Sequence, residues 1–240
     1  MIGPDTEQAA AKYEEGNILI DTLPPEERAR IVPSLTVFRA EPALCVVPKD
    51  RSIEDVLFPI DAVFSTTAEL RLGNVYEVAA TGRLGIVGAE LALGVAAAPR
   101  SVMAQVEGRA ARMSRETFLQ CMNDGVAFAR AVYGHILRRL FIAEQFIACN
   151  FAHSLTERCA RWVLTLQDEA GRGEFELRTE FLGMMLGMKP NQVVPATQVL
   201  QDLGAIQYAD ENVKVLDEAA LLEAACECYT AQRRFMPVAA

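Results

Sequence analysis

An α+β chain is predicted: an N-terminal antiparallel β-roll or jelly roll, a long helix, and a C-terminal winged helix-turn-helix. Three observations predict it. Between Leu35 and Ser114, short apolar runs are cut by turn residues at intervals of about 8–12, the rhythm of antiparallel all-β structure rather than of strands joined by crossover helices. From Val126 to Cys149 no proline or polar break interrupts an apolar pattern spaced by three and four. From Phe175 onward the order reads strand, helix, turn, helix, hairpin, helix.

The elements follow in order. Pro24-Pro25-Glu26-Glu27-Arg28 places a proline at a first helical position with acids in the first turn, so a short helix precedes the sheet. The strands are expected at 36–40, 44–48, 56–60, 63–71, 75–81 and 102–107, separated by Pro48-Lys49-Asp50, Pro59, Leu72-Gly73-Asn74, Gly82 and Glu107-Gly108. Asn123-Asp124-Gly125 starts the long helix. On it Val126, Ala129, Tyr133, Ile136, Leu140, Ala143 and Ile147 form a heptad seam suited to a second copy of the chain. Val132, Leu137, Phe141 and Phe146 form a second strip, suited to packing on the barrel. A further helix is expected over 151–167, then a loop at Asp168–Gly173. These boundaries give a sensor domain over 1–125, a dimerisation helix over 126–150 and a winged helix-turn-helix over 151–240.

Composition removes several classes. Of 240 residues 51% are hydrophobic, too many for a disordered chain, yet no apolar run reaches the ~18–20 residues that span a bilayer. The polar, acidic start resembles neither a secretory signal nor a basic transit peptide, so a cytoplasmic protein without membrane contact is expected. The six cysteines are scattered, with no CxxC, and read as reduced thiols. Cys226-Glu227-Cys228 offers two thiolates, half a metal site, with no histidine near it in sequence, so no metal is expected. The two histidines, His135 and His153, read as a surface helix residue and a helix-start residue. Phosphate loops of the GxxxxGK[ST] type and GxSxG elbows are absent, and no acid/base pair stands out, so an enzyme is not expected.

The tail segment from Leu177 to Val193, its second helix to Leu200 and the lead-in Asp202-Leu203-Gly204-Ala205-Ile206 are typical of a helix-turn-helix. Together with Leu57-Phe58-Pro59, Ala148-Cys149-Asn150, Glu157–Trp162 and Ala224–Tyr229, in that order and spacing, the chain resembles the Crp/Fnr family of bacterial transcription regulators from about Asn17 to Tyr229. The resemblance implies a homodimer that binds palindromic double-stranded DNA, contacts RNA polymerase and responds to an effector in a cyclic-nucleotide-binding-type β-roll. In that cradle it places Glu90, Arg100 and Ser101, although the glycine usual before the glutamate is Ala89 and the adenine-facing positions fall near Ala143 and Glu144. An iron–sulfur form would need N-terminal cysteines, and none precedes Cys45.

The reading helix departs from the family pattern. Arginines usual at its first position and a turn and a half later are here Pro190 and Pro195, and an interior proline should kink, shorten or delay the helix. Lys189, Asn191 and Gln192 remain as base readers, with Arg178 and Thr179 on the first helix available to phosphate. Residues 168–240 carry six Lys and Arg against twelve Asp and Glu, a poor balance for a polyanion. The alternative reading is therefore a degenerate member, without DNA binding, serving as a ligand-sensing or protein-interaction dimer. The effector, the operator and the sign of regulation are not written in the sequence.

Overall fold

A computed structural model describes residues 11–235. A short strand β1 (Ala11–Lys12) leads into helices α1 (Ile18–Asp21) and α2 (Pro25–Ile31). Seven strands follow: β2 (Thr36–Ala40), β3 (Cys45–Val47), β4 (Asp55–Pro59), β5 (Val63–Glu69), β6 (Val75–Thr81), β7 (Ser101–Val106) and β8 (Gly108–Ser114). They form two antiparallel sheets, β1-β2-β8-β4 and β3-β7-β5-β6, facing one another as the alternating sequence predicts. Phe58, Phe64, Ile86 and Phe118 belong to one buried apolar cluster that draws on both sheets. Asn17 fastens α1 to this roll, its buried amide donating to the carbonyls of Pro59 and Gly85 at 2.9 Å each.

Two boundaries differ from expectation. A helix α3 (Arg115–Asp124), capped by the Ser114 hydroxyl, stands where the sequence shows only a start signal. The long helix α4 (Val126–Ala152) runs past 150, and α5 (Leu155–Ala170) begins only after a break at His153. The break has a local cause. Ser154 accepts from the Glu157 N–H at 3.3 Å and Glu157 accepts from the Ser154 N–H at 2.8 Å, a capping box that starts a new helix. At its other end α4 is capped from a distance: the Glu27 carboxylate of α2 accepts from the N–H groups of Ala127 and Phe128, which hold its pKa below the usual range.

His135 is not on the surface. It is buried against the roll, its Nε2 3.1 Å from the Ile86 carbonyl oxygen, and burial with Arg139 and Arg138 nearby lowers its pKa to about 3, so it is neutral. The C-terminal part comprises β9 (Glu174–Glu176), α6 (Thr179–Leu186), α7 (Pro190–Asp202), β10 (Ile206–Ala209), β11 (Asn212–Val215), α8 (Glu218–Ala224) and α9 (Cys228–Arg233), with sheet order β10-β11-β9. Its core is continuous with the roll: Val63 and Val106 share one apolar cluster with Trp162, Leu182, Val193 and Leu200. The seam between the two parts also holds polar groups. Arg138 of α4 and Glu169 of α5 form a buried ion pair at 3.0 Å, and Glu169 also accepts from the Gly82 N–H.

Candidate nucleic-acid interface

The helix pair α6 and α7 is set by side-chain periodicity. Phe181, Leu182, Met185 and Leu186 bury one face of α6, and Val193, Ala196, Thr197 and Leu200 bury one face of α7. The turn between them needs glycine twice. Gly187 has φ +68°, and a Cβ on Gly183 would stand 2.8 Å from the Met188 carbonyl oxygen. The Met188 N–H closes the turn on the Gly183 carbonyl at 2.9 Å.

Contrary to expectation, Pro195 neither delays nor shortens α7, which runs thirteen residues from Pro190 through it. The missing N–H would have bonded to the Asn191 carbonyl, and both residues lie on the exposed side, where water can replace that bond. The outward stripe consists of Asn191, Val194, Pro195 and Gln198, spaced by three and four. Val194 and Gln198 were not singled out from the sequence, although Gln198 lies two helical turns beyond Asn191. Gln198 donates to Asp202 at 2.8 Å.

The other sequence-derived contacts are partly committed elsewhere. Gln192 accepts from the Lys189 N–H at 3.0 Å, capping α7, which leaves its amide nitrogen but not its oxygen free for a base. Arg178 is exposed but paired with Glu176 at 3.1 Å and Glu211 at 3.5 Å. Thr179 is tied at 3.1 Å to the Tyr208 hydroxyl, which itself donates to the Leu177 carbonyl. Lys189 and Asn191 stay exposed, with no side-chain bond among the described residues. The wing turns at Asp210 and Glu211, both at positive φ, so the hairpin tip presents two carboxylates.

The free face of α4 is rotated from the seam read in the sequence. Tyr133, Leu140, Ala143 and Ile147 are exposed on it, Ala129 is half-buried, and Ile136 packs against the core of the roll. Leu137, expected against the barrel, is instead 50% exposed, and Phe151 at the helix end is 89% exposed. The exposed apolar stripe is thus Val126, Tyr133, Leu137, Leu140, Ile147 and Phe151, with Arg130 and Glu144 completing its three-four spacing. The seam in the sequence falls one position off because Ile136 and Leu137 are both apolar and only their burial separates them.

The cradle residues each have a different neighbour. Glu90 meets Arg139 of α4 at 3.4 Å, Arg100 is exposed, and the Ser101 hydroxyl accepts from the Lys49 N–H at 3.1 Å. No hydrogen bond among the described residues joins the three.

A family model described as the Crp-like helix-turn-helix domain matches residues 157–224. No curated protein sequence matches the chain. Among solved structures, FixK2 from Bradyrhizobium japonicum superposes with a TM-score of 0.68 at 17% identity, over 80% of this chain and 98% of that one. A CRP-family transcriptional regulator from Thermus thermophilus gives 0.63 at 17% identity, over 78% and 95%. The c-di-GMP responsive global regulator CLP of Xanthomonas campestris gives 0.63 at 15% identity, over 80% and 99%. No helix among the described residues is long and apolar enough to cross a membrane. The chain therefore has the fold of the Crp/Fnr transcription regulators, and its residues 157–224 match their helix-turn-helix domain.

Proposed function

We propose that the protein is a dimeric, sequence-specific DNA-binding regulator. The observation that carries this reading is the stripe of Asn191, Val194, Pro195 and Gln198, exposed on a helix whose opposite face is locked into the core. Asn and Gln present donor–acceptor pairs to adenine, and Val and Pro offer apolar contact to the thymine methyl group, so the stripe is suited to A·T-rich half-sites. Dimerisation is supported by the apolar stripe on α4, which a monomer would leave in water. Two copies joined there would present two α7 helices to half-sites about one helical turn, ~34 Å, apart. An effector in the roll is part of this reading, with Glu90, Arg100 and Ser101 as the groups that would meet it.

The test is selection from a random duplex library by the purified chain at low salt. Enrichment of a two-fold symmetric site is the expected result. An unenriched pool would favour the protein-interaction reading.

A further inference from the structure

Four side chains with metal-binding chemistry, distant in sequence, meet at the joint between α4 and α5. Cys149 on the last turn of α4 and His153 just past its end are one helical turn apart and face the α8–α9 junction, where Cys226 lies in the loop and Cys228 begins α9. Their ligand atoms all lie within 4.8 Å of one another. Cys149 Sγ is 3.6 Å from Cys226 Sγ, and Cys228 Sγ is 3.7 Å from His153 Nδ1. The three cysteines are buried, and they form a small cluster separate from the two large cores.

These spacings fit a single tetrahedral ion. With Zn–S of ~2.3 Å and Zn–N of ~2.0–2.1 Å, tetrahedral geometry puts sulfur–sulfur edges at ~3.8 Å and sulfur–nitrogen edges at ~3.6 Å. The Cys149–Cys226 and Cys228–His153 edges already have these lengths, and the other edges need to tighten by no more than about one ångström. A disulfide requires ~2.05 Å between sulfurs, so the thiols are reduced as they stand. An iron–sulfur cluster would need a wider cage, because its thiolates belong to different irons.

Two neighbours strengthen the assignment. His153 Nε2 lies 3.0 Å from the Glu227 carboxylate, so the ring is held with Nδ1 toward the thiols, the carboxylate–histidine–metal arrangement that orients a ligand. Arg161 is 1% exposed with Nε and Nη1 unpartnered, and no carboxylate among the described residues pairs with it. Burial lowers its pKa, and Cys149, Cys226 and Cys228 are the groups that oppose that shift. Three thiolates around a divalent cation carry a net −1, which this buried guanidinium balances.

We infer that Cys149, His153, Cys226 and Cys228 form a closed Cys3His site for one zinc-class divalent ion. Four protein ligands leave no open position, so the site is structural or regulatory rather than catalytic. Its occupation ties the α8–α9 loop to the end of α4, and binding releases the thiol protons to solvent.

The test uses the full chain without a histidine tag, purified under reducing, anaerobic conditions. Elemental analysis should find one zinc per chain. Cobalt(II) added to the metal-free chain should saturate at one equivalent, with thiolate charge-transfer absorption and the strong visible bands of a tetrahedral ion, and zinc should displace it. Cys228→Ser and His153→Ala should abolish stoichiometric binding. Because those variants touch buried groups, Glu227→Gln on the exposed rim provides a milder check, expected to weaken affinity by roughly 10–100-fold with the circular dichroism unchanged. A reduced, folded chain that gives no charge-transfer band at saturating cobalt overturns the inference.

Discussion

Asn191 and Gln192 are adjacent but do different work. Among the described residues the Asn191 side chain makes no hydrogen bond, so Asn191→Ala should leave the melting temperature unchanged and relax specificity at one base pair by roughly 1–3 kcal/mol, read by anisotropy titration against a panel of single-base variants of the selected site. Gln192 holds the start of α7, so Gln192→Ala should lower thermal stability by roughly 0.5–2 kcal/mol as well. Glu77 sets a different test. Its carboxylate is buried between the roll and α5 without a hydrogen-bond partner, and desolvation outweighs Ser65 and Arg161 to raise its pKa to about 7. The folded state thus favours the protonated acid: the stabilisation is complete below about 4.5, the ordinary glutamate value, and is lost as pH rises through 7. Glu77→Gln should therefore stabilise the protein at pH 8 by up to about 3 kcal/mol and change little at pH 4, as measured by thermal unfolding across that range. Equal effects at both pH values would show that Glu77 is not titrating there.

Among the elements, α4 has the clearest division of labour. Leu140→Asp puts a charge into the proposed seam and should yield a folded monomer in analytical ultracentrifugation, whereas Ile136→Asp puts one into the roll and should unfold it, at a cost of several kcal/mol. A dimeric Leu140→Asp protein would place the interface elsewhere. The wing hairpin carries the opposite problem, acid where phosphate would lie. Glu211→Lys removes the more distant of the two carboxylates at Arg178 and reverses a charge, so affinity for all duplexes should rise and the slope of log K against log salt should steepen by roughly one unit. The sequence made the kind and order of these elements legible, because periods of two and of three to four, the Gly187 turn and the proline and glycine punctuation are local signals. Helix α3 was missed because it follows a strand without a turn residue, and the break between the long helix and the next was placed at 150–151 rather than at His153 because its position depends on a serine–glutamate pair only three residues apart. The Cys3His cluster was half visible as Cys226-Glu227-Cys228. Its other half begins at Cys149, 77 residues before Cys226, at the end of a helix that runs further than the sequence suggests. Glu90 likewise has a neighbour that the sequence does not announce, since Arg139, which it meets at 3.4 Å, comes from another element.

At the level of the whole molecule, the roll and the C-terminal part share a core, so the helix-turn-helix is docked on the sensor rather than tethered to it. Gln105 of the roll even donates to the Met185 sulfur of α6, at 2.8 Å. The C-terminal part also meets α4 along the second half of that helix: Arg138 reaches Glu169, the Phe141 ring lies 4.8 Å from that of Phe235, Phe146 meets Trp162 edge-on at 5.4 Å, and Cys149 faces Cys226. A body fixed at one point sweeps a cone, but one clasped along about three turns of helix and seated on the roll has no free axis left. In a dimer joined along α4, each reading helix would then move only as its own roll and α4 move, so that regulation would act by shifting one whole protomer against the other.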